Sequence, residues 1–250
     1  PLDADETEKD SLFPTSVSNA FSFSSSAGYT AQNNLQFGKG YWMKFATDQM
    51  SSILGDVRAK DSIIVEEGWN LIGSVSSPVD AENVVSNPPG IITGTFFQYQ
   101  NGYQVADVLK PLRAYWVKVT DDGKLILDGT NTARAKSTNG NELLQKFNSM
   151  VFKDGSGSEQ TLFFGSNKTI NLKQFELPPS PPEGIFDVRF SSGRMVEVAT
   201  EHEENIFPIS ISSVNYPLEI SWKIQNGNGV AGLLTDKGET VLDATGQMRI

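Results

Sequence analysis

The chain has 250 residues, with 20 basic and 30 acidic side chains and a formal net charge of −10. An acidic balance of this size repels a phosphate backbone, so nucleic acid is not an expected partner. The sequence holds no cysteine and one histidine, His202. This excludes disulfides and cysteine nucleophiles, and any histidine-dependent catalytic site would have to be built around that one ring.

The first residues of the chain are acidic and have little to bury. Five carboxylates precede residue 11, together with a single lysine. This composition predicts a solvated, mobile arm over residues 1–14, ending in the apolar Leu12, Phe13 and Pro14. An arm of this kind can complete a sheet edge of another copy, so these three residues are the predicted assembly segment.

An internal repeat is the most informative feature of the sequence. Aligned with itself at an offset of 74 residues, the chain superimposes two segments without a gap. The constant offset indicates two copies of one supersecondary unit. The matched residues are Phe23 with Phe97, Gly28 and Tyr29 with Gly102 and Tyr103, Leu35 with Leu109, Tyr41 and Trp42 with Tyr115 and Trp116, Lys44 with Lys118, and Gly55 with Gly129.

Each repeat contains a run with the alternation of a β-strand. In residues 41–45 it places Trp42 and Lys44 on one face, and in residues 115–119 it places Trp116 and Lys118 there. These four residues are the candidate binding surface, because exposed indoles stack on sugar rings and a lysine can lie beside the indole. In the alternative, the indoles pack against the other repeat while the lysines reach solvent.

The second half of the chain reads as a separate β domain. Residues 130–141 contain no large apolar side chain and are the predicted linker. About seven short alternating runs follow in residues 142–250, which suggests a β-sandwich of immunoglobulin or fibronectin type. The expected fold class is therefore all-β. A tandem-repeat antiparallel sheet domain over residues 15–129 precedes the sandwich. A short helix is predicted over residues 81–85 with Asp80 as its N-cap, and Trp222 is the predicted core anchor of the sandwich.

Two polar segments are candidates for metal binding. Asp154, Ser156, Ser158 and Glu159 alternate with glycine as calcium ligands do, although a hairpin turn explains the pattern equally well. His202 lies in an acidic stretch that is typical of an exposed loop. No other cofactor and no catalytic residue is predicted, and the chain is expected not to be an enzyme.

Four stretches of the first half carry a family resemblance: SNAFSF, GYTAQNNLQFGKGYWMKF, EEGWNLIGSVSSPV and NGYQVADVLKPLRAYWVKV. They resemble a module near the C-terminus of bacterial proteins exported by the type IX secretion system. The later stretches QTLFFG, LPPSPPEGIFDVRFSSGR and TGQMRI resemble the β-sandwich that usually follows it, before a cleavable sorting domain. That domain does not follow Ile250 here. A processed, exported subunit that begins at Pro1 would look like this, and a trimmed chain would look the same.

These observations predict an extracellular or cell-surface structural or adhesive protein of a bacterium. It would form a surface layer or filament, with copies of itself or other surface modules as partners, through β edges and the N-terminal arm. The alternative is a carbohydrate-binding module that uses Trp42 and Trp116, with a glycan as partner. No run of eighteen apolar residues occurs, so no membrane-spanning helix is expected.

Overall fold

The computed structural model describes residues 2–130, 140–166, 170–200, 204–225, 231–236 and 238–250. Within these ranges the chain is all-β, as predicted, and its helices are only a few residues long. The chain divides into two compact units. The first comprises Pro1–Gln98 and Val105–Ser137, and the second comprises Tyr99–Gln104 and Thr138–Ile250. The predicted linker falls mostly on residues 131–139, which lie outside the described ranges.

The elements up to residue 130 are β1 (Leu2–Ala4), α1 (Lys9–Leu12), β2 (Ala20–Ser24), β3 (Gly28–Gln32), β4 (Gly55–Val57), β5 (Lys60–Val65), β6 (Gly68–Ile72), β7 (Val79–Asp80), a 3-10 helix (Ala81–Asn83), β8 (Val85–Asn87), β9 (Phe97–Tyr99), β10 (Tyr103–Val105), β11 (Val108–Leu109), β12 (Tyr115–Val119) and β13 (Gly123–Asp128). The later elements are α2 (Gly140–Leu144), β14 (Asn148–Lys153), β15 (Glu159–Gly165), a 3-10 helix (Leu172–Phe175), β16 (Asp187–Phe190), β17 (Val196–Val198), β18 (Ile209–Ser212), β19 (Glu219–Lys223), β20 (Ala231–Thr235), β21 (Gly238–Leu242) and β22 (Thr245–Arg249).

The first unit has its core between two groups of strands. Strand β12 pairs with β6 on one side and β9 on the other, and β13 is the middle strand of a three-stranded sheet with β5 and β8. Alternation turns Tyr115, Val117 and Val119 of β12 into the core, where they join the inner residues Leu125 and Leu127 of β13. This burial of aliphatic and aromatic side chains is the main stabilising contribution within the unit.

The second unit is built around a five-stranded sheet with the order β17-β15-β14-β19-β22. The β15–β17 pair is parallel and the other pairs are antiparallel. Two further two-stranded sheets are formed by β16 with β18 and by β20 with β21. Phe152, Phe175 and Ile220 are among its buried residues. The structure shows an all-β unit, and its immunoglobulin-like type stays a prediction.

The N-terminal arm is not the mobile segment that its composition suggests. Strand β1 pairs with β4, the Lys9 N–H donates to the Asn33 carbonyl, and the Leu35 N–H donates to the Thr7 carbonyl. The Lys9 ammonium also donates to the Ser16 hydroxyl at 2.8 Å. These contacts are mostly backbone hydrogen bonds, which acidic composition does not reveal. Residues 2–14 therefore belong to the first unit.

Two local predictions in the first unit need correction. Residues 41–45 do not form a regular strand but make isolated bridges, Trp42 with Phe21 and Phe45 with Ser16. The ladder is interrupted because the Lys44 N–H donates to the Ser18 hydroxyl instead of to another strand. The helix expected after Asp80 is limited to the 3-10 turn Ala81–Asn83. Val84 caps this turn, and the β-branched Val85 that follows it begins strand β8.

Trp222 is not the central core residue of the second unit. It lies on β19 between Met150 of β14 and Gly246 of β22, and it is only half-buried. Its indole N–H donates to the Asp243 carbonyl at 3.3 Å. An indole on an outer part of the sheet covers neighbouring backbone while its N–H keeps a polar partner.

Candidate functional surfaces

The predicted binding surface around Trp116 is buried. The Trp116 side chain is 1% exposed, and its ring makes edge contacts with Phe23 at 4.9 Å and Tyr29 at 6.3 Å between ring centroids. Both partners belong to the first repeat. The structure therefore shows the alternative in which this indole packs against the other repeat, and the expectation of a sugar platform at Trp116 is wrong, because no ring face is accessible.

Lys118 lies on the same sheet face but serves a different aromatic ring. It is directly opposite Trp69 in the β12–β6 pair, and its ammonium is 5.8 Å from the Trp69 ring centroid. Trp69 in turn makes edge contacts with Trp116 and Phe97. The cation thus lies beside an aromatic cluster instead of marking an open platform, and a contact of this type contributes about 0.5–1 kcal/mol.

The first-repeat counterparts Trp42 and Lys44 are more accessible. Trp42 is half-buried and hydrogen-bonds through its backbone to Phe21, whereas Lys44 is exposed. The two repeats thus differ in how far they cover their indoles. A glycan at Trp42 stays a prediction, without the second platform that was expected at Trp116.

The predicted assembly segment is partly packed against the first unit. Leu12 and Phe13 are half-buried, and Pro14 is exposed. The Phe13 ring makes an edge contact with Phe45 at 6.0 Å between centroids. The apolar end of the arm is therefore engaged within this chain, and its exchange with another copy would require this contact to open.

The segment predicted as a calcium loop is organised by one carboxylate. Asp154 is buried; one of its oxygens accepts from the N–H and hydroxyl of Ser156 and the N–H of Ser158, and the other accepts from the N–H and amide of Asn215. Burial alone would raise the Asp154 pKa, but the hydrogen bonds from Ser156, Asn215 and Ser158 lower it below its ordinary value. Glu159 lies at the start of β15 and is exposed.

The described part of the chain contains no cluster of metal ligands. No group of three or more His, Asp or Glu side chains comes together there in a way that could hold an ion. Calcium at Asp154 stays a prediction, and the observed chemistry of its oxygens is that of a loop anchor. His202, with its neighbours Glu201 and Glu203, lies outside the described residues.

A hairpin tip of the second repeat is held by a buried amide in the second unit. The Gln160 side chain accepts from the Tyr103 N–H at 2.7 Å and donates to the Tyr103 carbonyl at 3.1 Å. The Tyr99 hydroxyl donates to the Phe186 carbonyl at 2.7 Å. A Cβ on Gly102 would collide with the Glu159 carbonyl oxygen, so glycine is required at this position. The repeat thus carries a tip whose polar groups are paired within the second unit.

Two outward faces expose apolar side chains that the sequence reasoning did not single out. The sheet face lies on the outer side of β5, β13 and β8, where Ile64 is 73% and Val85 is 57% exposed. Ile126 is opposite Val85, and Lys124 is opposite Ile64. A signal was present, because residues 63–65 and 125–127 are apolar at every position, whereas a half-exposed strand normally alternates.

The hairpin face lies on the outer side of β20 and β21. Leu234 is 73% and Val241 is 61% exposed, whereas Leu242 on the opposite side is buried. Glu239 is directly opposite Leu234. Its carboxylate leans over Gly232, where a Cβ would come within 2.5 Å of Oε1. In the described part of the chain, β20 and β21 pair only with each other.

An open depression in the first unit is lined in part by Pro88, Pro89 and three acidic residues. Two of these carboxylates already serve local turns. Asp122 accepts from the Glu67 N–H, and Asp121 accepts from the Thr120 hydroxyl, both at 2.8 Å. This arrangement stabilises the loops around the depression.

No described helix is long and apolar enough to cross a bilayer. Comparisons with models of protein families, with curated proteins and with solved structures found no match.

Proposed function

We propose that this chain is a non-enzymatic structural or adhesive protein of a bacterial surface, and that it assembles with copies of itself through exposed sheet faces and edges. The observation that carries the proposal is the β20–β21 ribbon. Its outer face exposes Leu234 and Val241, and in the described residues neither strand has a second partner. A two-stranded ribbon with an apolar outer face is a surface on which another chain can add.

The energetics of such a ribbon favour a partner. An isolated two-stranded ribbon is marginally stable in water, and it gains stability when a third strand or a packed face covers it. Exposed large apolar side chains cost free energy in water, about 25 cal/mol for each Å² that a partner would bury. The inner face already gains from burial of Leu242, so the outer face is the one left to be covered.

The N-terminal arm provides a second route to assembly. Strand β1 pairs only with β4 in the described chain, by a three-residue register from Leu2 opposite Val57 to Ala4 opposite Gly55. The same pairing could be made by the arm of another copy, which is the low-cost exchange known as domain swapping. Release of the rest of the arm would require the Phe13–Phe45 contact and the backbone hydrogen bonds of Thr7 and Lys9 to open.

The location is supported by the resemblance to modules of proteins exported by the type IX secretion system, which implies an extracellular or surface-bound protein. The absence of cysteine is compatible with this location, because stability then rests on the packed cores alone.

The proposal is tested by sedimentation velocity and negative-stain microscopy of the full chain across a wide concentration range. We expect concentration-dependent growth of regular assemblies, and a chain that stays monomeric at every concentration would overturn the proposal. Leu234→Asp and Val241→Asp should weaken assembly. Leu112→Asn is the matched control, since Leu112 is similarly exposed on a turn with positive φ where asparagine is tolerated.

The contribution of the arm is tested separately by deleting residues 1–14. If arm exchange drives assembly, the shortened chain should form fewer or shorter assemblies. Assembly that is undiminished would exclude the arm and leave the sheet faces as the cause. Hydrogen exchange at β12 and β13, which do not pair with the arm, would show whether the shortened chain keeps the rest of the first unit folded.

A further inference from the structure

We propose that the hairpin face of one copy binds the sheet face of a second copy, in a head-to-tail contact. This inference rests on the proposed self-assembly and names the two surfaces that meet. The hairpin face is Gly232, Leu234, Glu239 and Val241, and the sheet face is Ile64, Val85, Lys124 and Ile126. All residues of the sheet face belong to the first unit, and all residues of the hairpin face belong to the second unit. The proposed contact joins two different copies of the chain.

The two faces match in their chemistry. Each places aliphatic side chains beside a charged residue, Lys124 in the sheet face and Glu239 in the hairpin face, and these two charges are opposite. In the sheet face Lys124 is directly opposite Ile64, and in the hairpin face Glu239 is directly opposite Leu234. In both faces, the next cross-strand pair on the same side supplies further apolar surface, with Ile126 opposite Val85 and Val241 opposite Gly232.

The other charges on the sheet face do not cancel this complementarity. Lys60 and Asp128 lie on the same side of the sheet and pair with each other at 2.8 Å, so together they add no net charge. Among the strand residues on this side, Lys124 therefore carries the excess positive charge. On the hairpin face Glu239 supplies the negative charge, and its carboxylate is held over Gly232 on the outer side. An ion pair at the centre of an apolar contact fixes orientation and register.

The inner sides of both elements are already occupied, which directs the contact outward. Ile63 and Leu125 point into the core of the first unit, on the side opposite Ile64 and Lys124. Neighbouring residues of a strand point to opposite faces, so an apolar residue between two core residues can be buried only by a partner outside the unit. The ribbon of another copy offers a two-stranded, mainly aliphatic face for this purpose.

The symmetry of the contact determines the kind of assembly. Two different surfaces meet, so the contact is heterologous and each copy keeps one free surface of each kind. Repetition of a heterologous contact closes into a ring or continues as an open filament. Both outcomes suit a subunit of a surface layer or filament, and neither is a simple two-fold dimer.

The test uses charge reversal on the full chain. Lys124→Glu and Glu239→Lys each place like charges opposite one another, and we expect each to weaken self-association at least about tenfold. An equimolar mixture of the two variants should regain assembly, because each variant then meets the opposite charge on the other. The double variant K124E/E239K should regain it as well. Lys173→Glu and Glu183→Lys are matched controls, since both residues are exposed and lie away from either face in sequence.

Sedimentation equilibrium measures the association constant, and far-UV circular dichroism confirms that each variant is folded. Loss in both single variants with recovery in the mixture supports the contact. Single variants that assemble like the unmodified chain, or folded single variants that do not recover when mixed, overturn it. If the unmodified chain assembles while the charge variants have no effect, the proposed function stands and only this pairing fails. An unmodified chain that never assembles overturns both.

Discussion

Tyr41 and Tyr115 are 74 residues apart and make the same hydrogen bond. The Tyr41 hydroxyl accepts from the Gln36 N–H at 2.8 Å, and the Tyr115 hydroxyl accepts from the Lys110 N–H at 2.6 Å. In both cases the donor lies five residues earlier. A phenol that closes a loop in two places at the repeat offset shows that the repeat preserves a structural device as well as residue types.

The surroundings of the two phenols predict different costs for their removal. Tyr115 is fully buried, whereas Tyr41 is only half-buried, and burial raises the pKa of both phenols. Tyr115→Phe leaves the Lys110 N–H without its acceptor in a partly buried place, and should lower the free energy of unfolding by about 1–3 kcal/mol. Tyr41→Phe should cost less, because water can reach the Gln36 N–H.

Urea denaturation of both variants, followed by hydrogen exchange at residues 36 and 110, measures this difference. Equal losses of stability for the two variants would contradict the prediction that the hydrogen bond of the buried Tyr115 hydroxyl is the more costly one to remove. Protection should fall at the Lys110 amide in Tyr115→Phe and remain at the Gln36 amide.

The Gln160 side chain predicts a large effect from a single amide. It is buried, donates to the carbonyls of Tyr103 and Thr161, and accepts from the Tyr103 N–H. Gln160→Ala removes the amide that makes all three hydrogen bonds, and it should destabilise the second unit by about 2–4 kcal/mol. Gln160→Glu keeps the acceptor, loses the donor and buries a charge, so it should cost at least as much at neutral pH.

The difference between alanine and glutamate at residue 160 is measured by hydrogen exchange resolved to peptides of the second unit. Lowering the pH should partly restore the glutamate variant, because a protonated carboxyl is neutral and donates again. A glutamate variant that is as stable as the unmodified chain at neutral pH would contradict the pairing of Gln160 with the Tyr103 backbone.

The all-β class could be predicted because it depends on local patterns. Alternation in residues 115–119 correctly predicted strand β12, whereas the same alternation in residues 41–45 did not produce a strand. Such signals need only the chain itself and the two-residue period of a strand.

The exposure of each indole could not be predicted, because it depends on which hairpin covers which sheet. Trp42 and Trp116 match at the repeat offset, yet Trp116 is buried under ring contacts from Phe23 and Tyr29 that the sequence does not specify, whereas Trp42 is half-buried. The docked N-terminal arm was missed for a similar reason, since its backbone hydrogen bonds are independent of side-chain type. The faces around Ile64 and Leu234 were missed because runs of apolar residues resemble buried strands.

Asp154 predicts an acid-sensitive loop. Its pKa is lowered, so its contribution is present above the ordinary carboxyl pKa of about 3.9 and is lost as the pH falls towards the lower, folded value. In Asp154→Asn one carboxylate oxygen becomes an N–H₂ group. In one orientation this group faces the Asn215 donors, and in the flipped orientation it faces the donors of Ser156 and Ser158, so hydrogen bonds are lost in both. The variant should be about 2–3 kcal/mol less stable at neutral pH and less sensitive to acid below pH of about 4.

Thermal denaturation from pH of about 7 to about 3 compares the Asp154 variant with the unmodified chain, with Asp243→Asn as a control at an exposed aspartate. The two curves should converge at low pH. Added calcium should leave the midpoint of the unmodified chain unchanged, because the Asp154 oxygens already accept five hydrogen bonds. A calcium-dependent rise that Asp154→Asn abolishes would instead establish the cation site.

Substitution of Trp116 should mainly lower stability, whereas substitution of Trp42 should mainly affect glycan binding. Trp116 lies in a buried aromatic cluster, so Trp116→Ala should lower the free energy of unfolding by about 3–5 kcal/mol, and Trp116→Phe should recover part of it. Trp42→Ala should cost less, since that side chain is only half-buried. If Trp42 binds a glycan, its alanine variant should lose binding on a glycan array while the chain remains folded. A folded Trp116→Phe variant that loses glycan binding while Trp42→Ala retains it would contradict the burial of the second indole. Denaturation and array binding on the same preparations separate packing from recognition, because only a ligand contact changes binding without a matching change in stability.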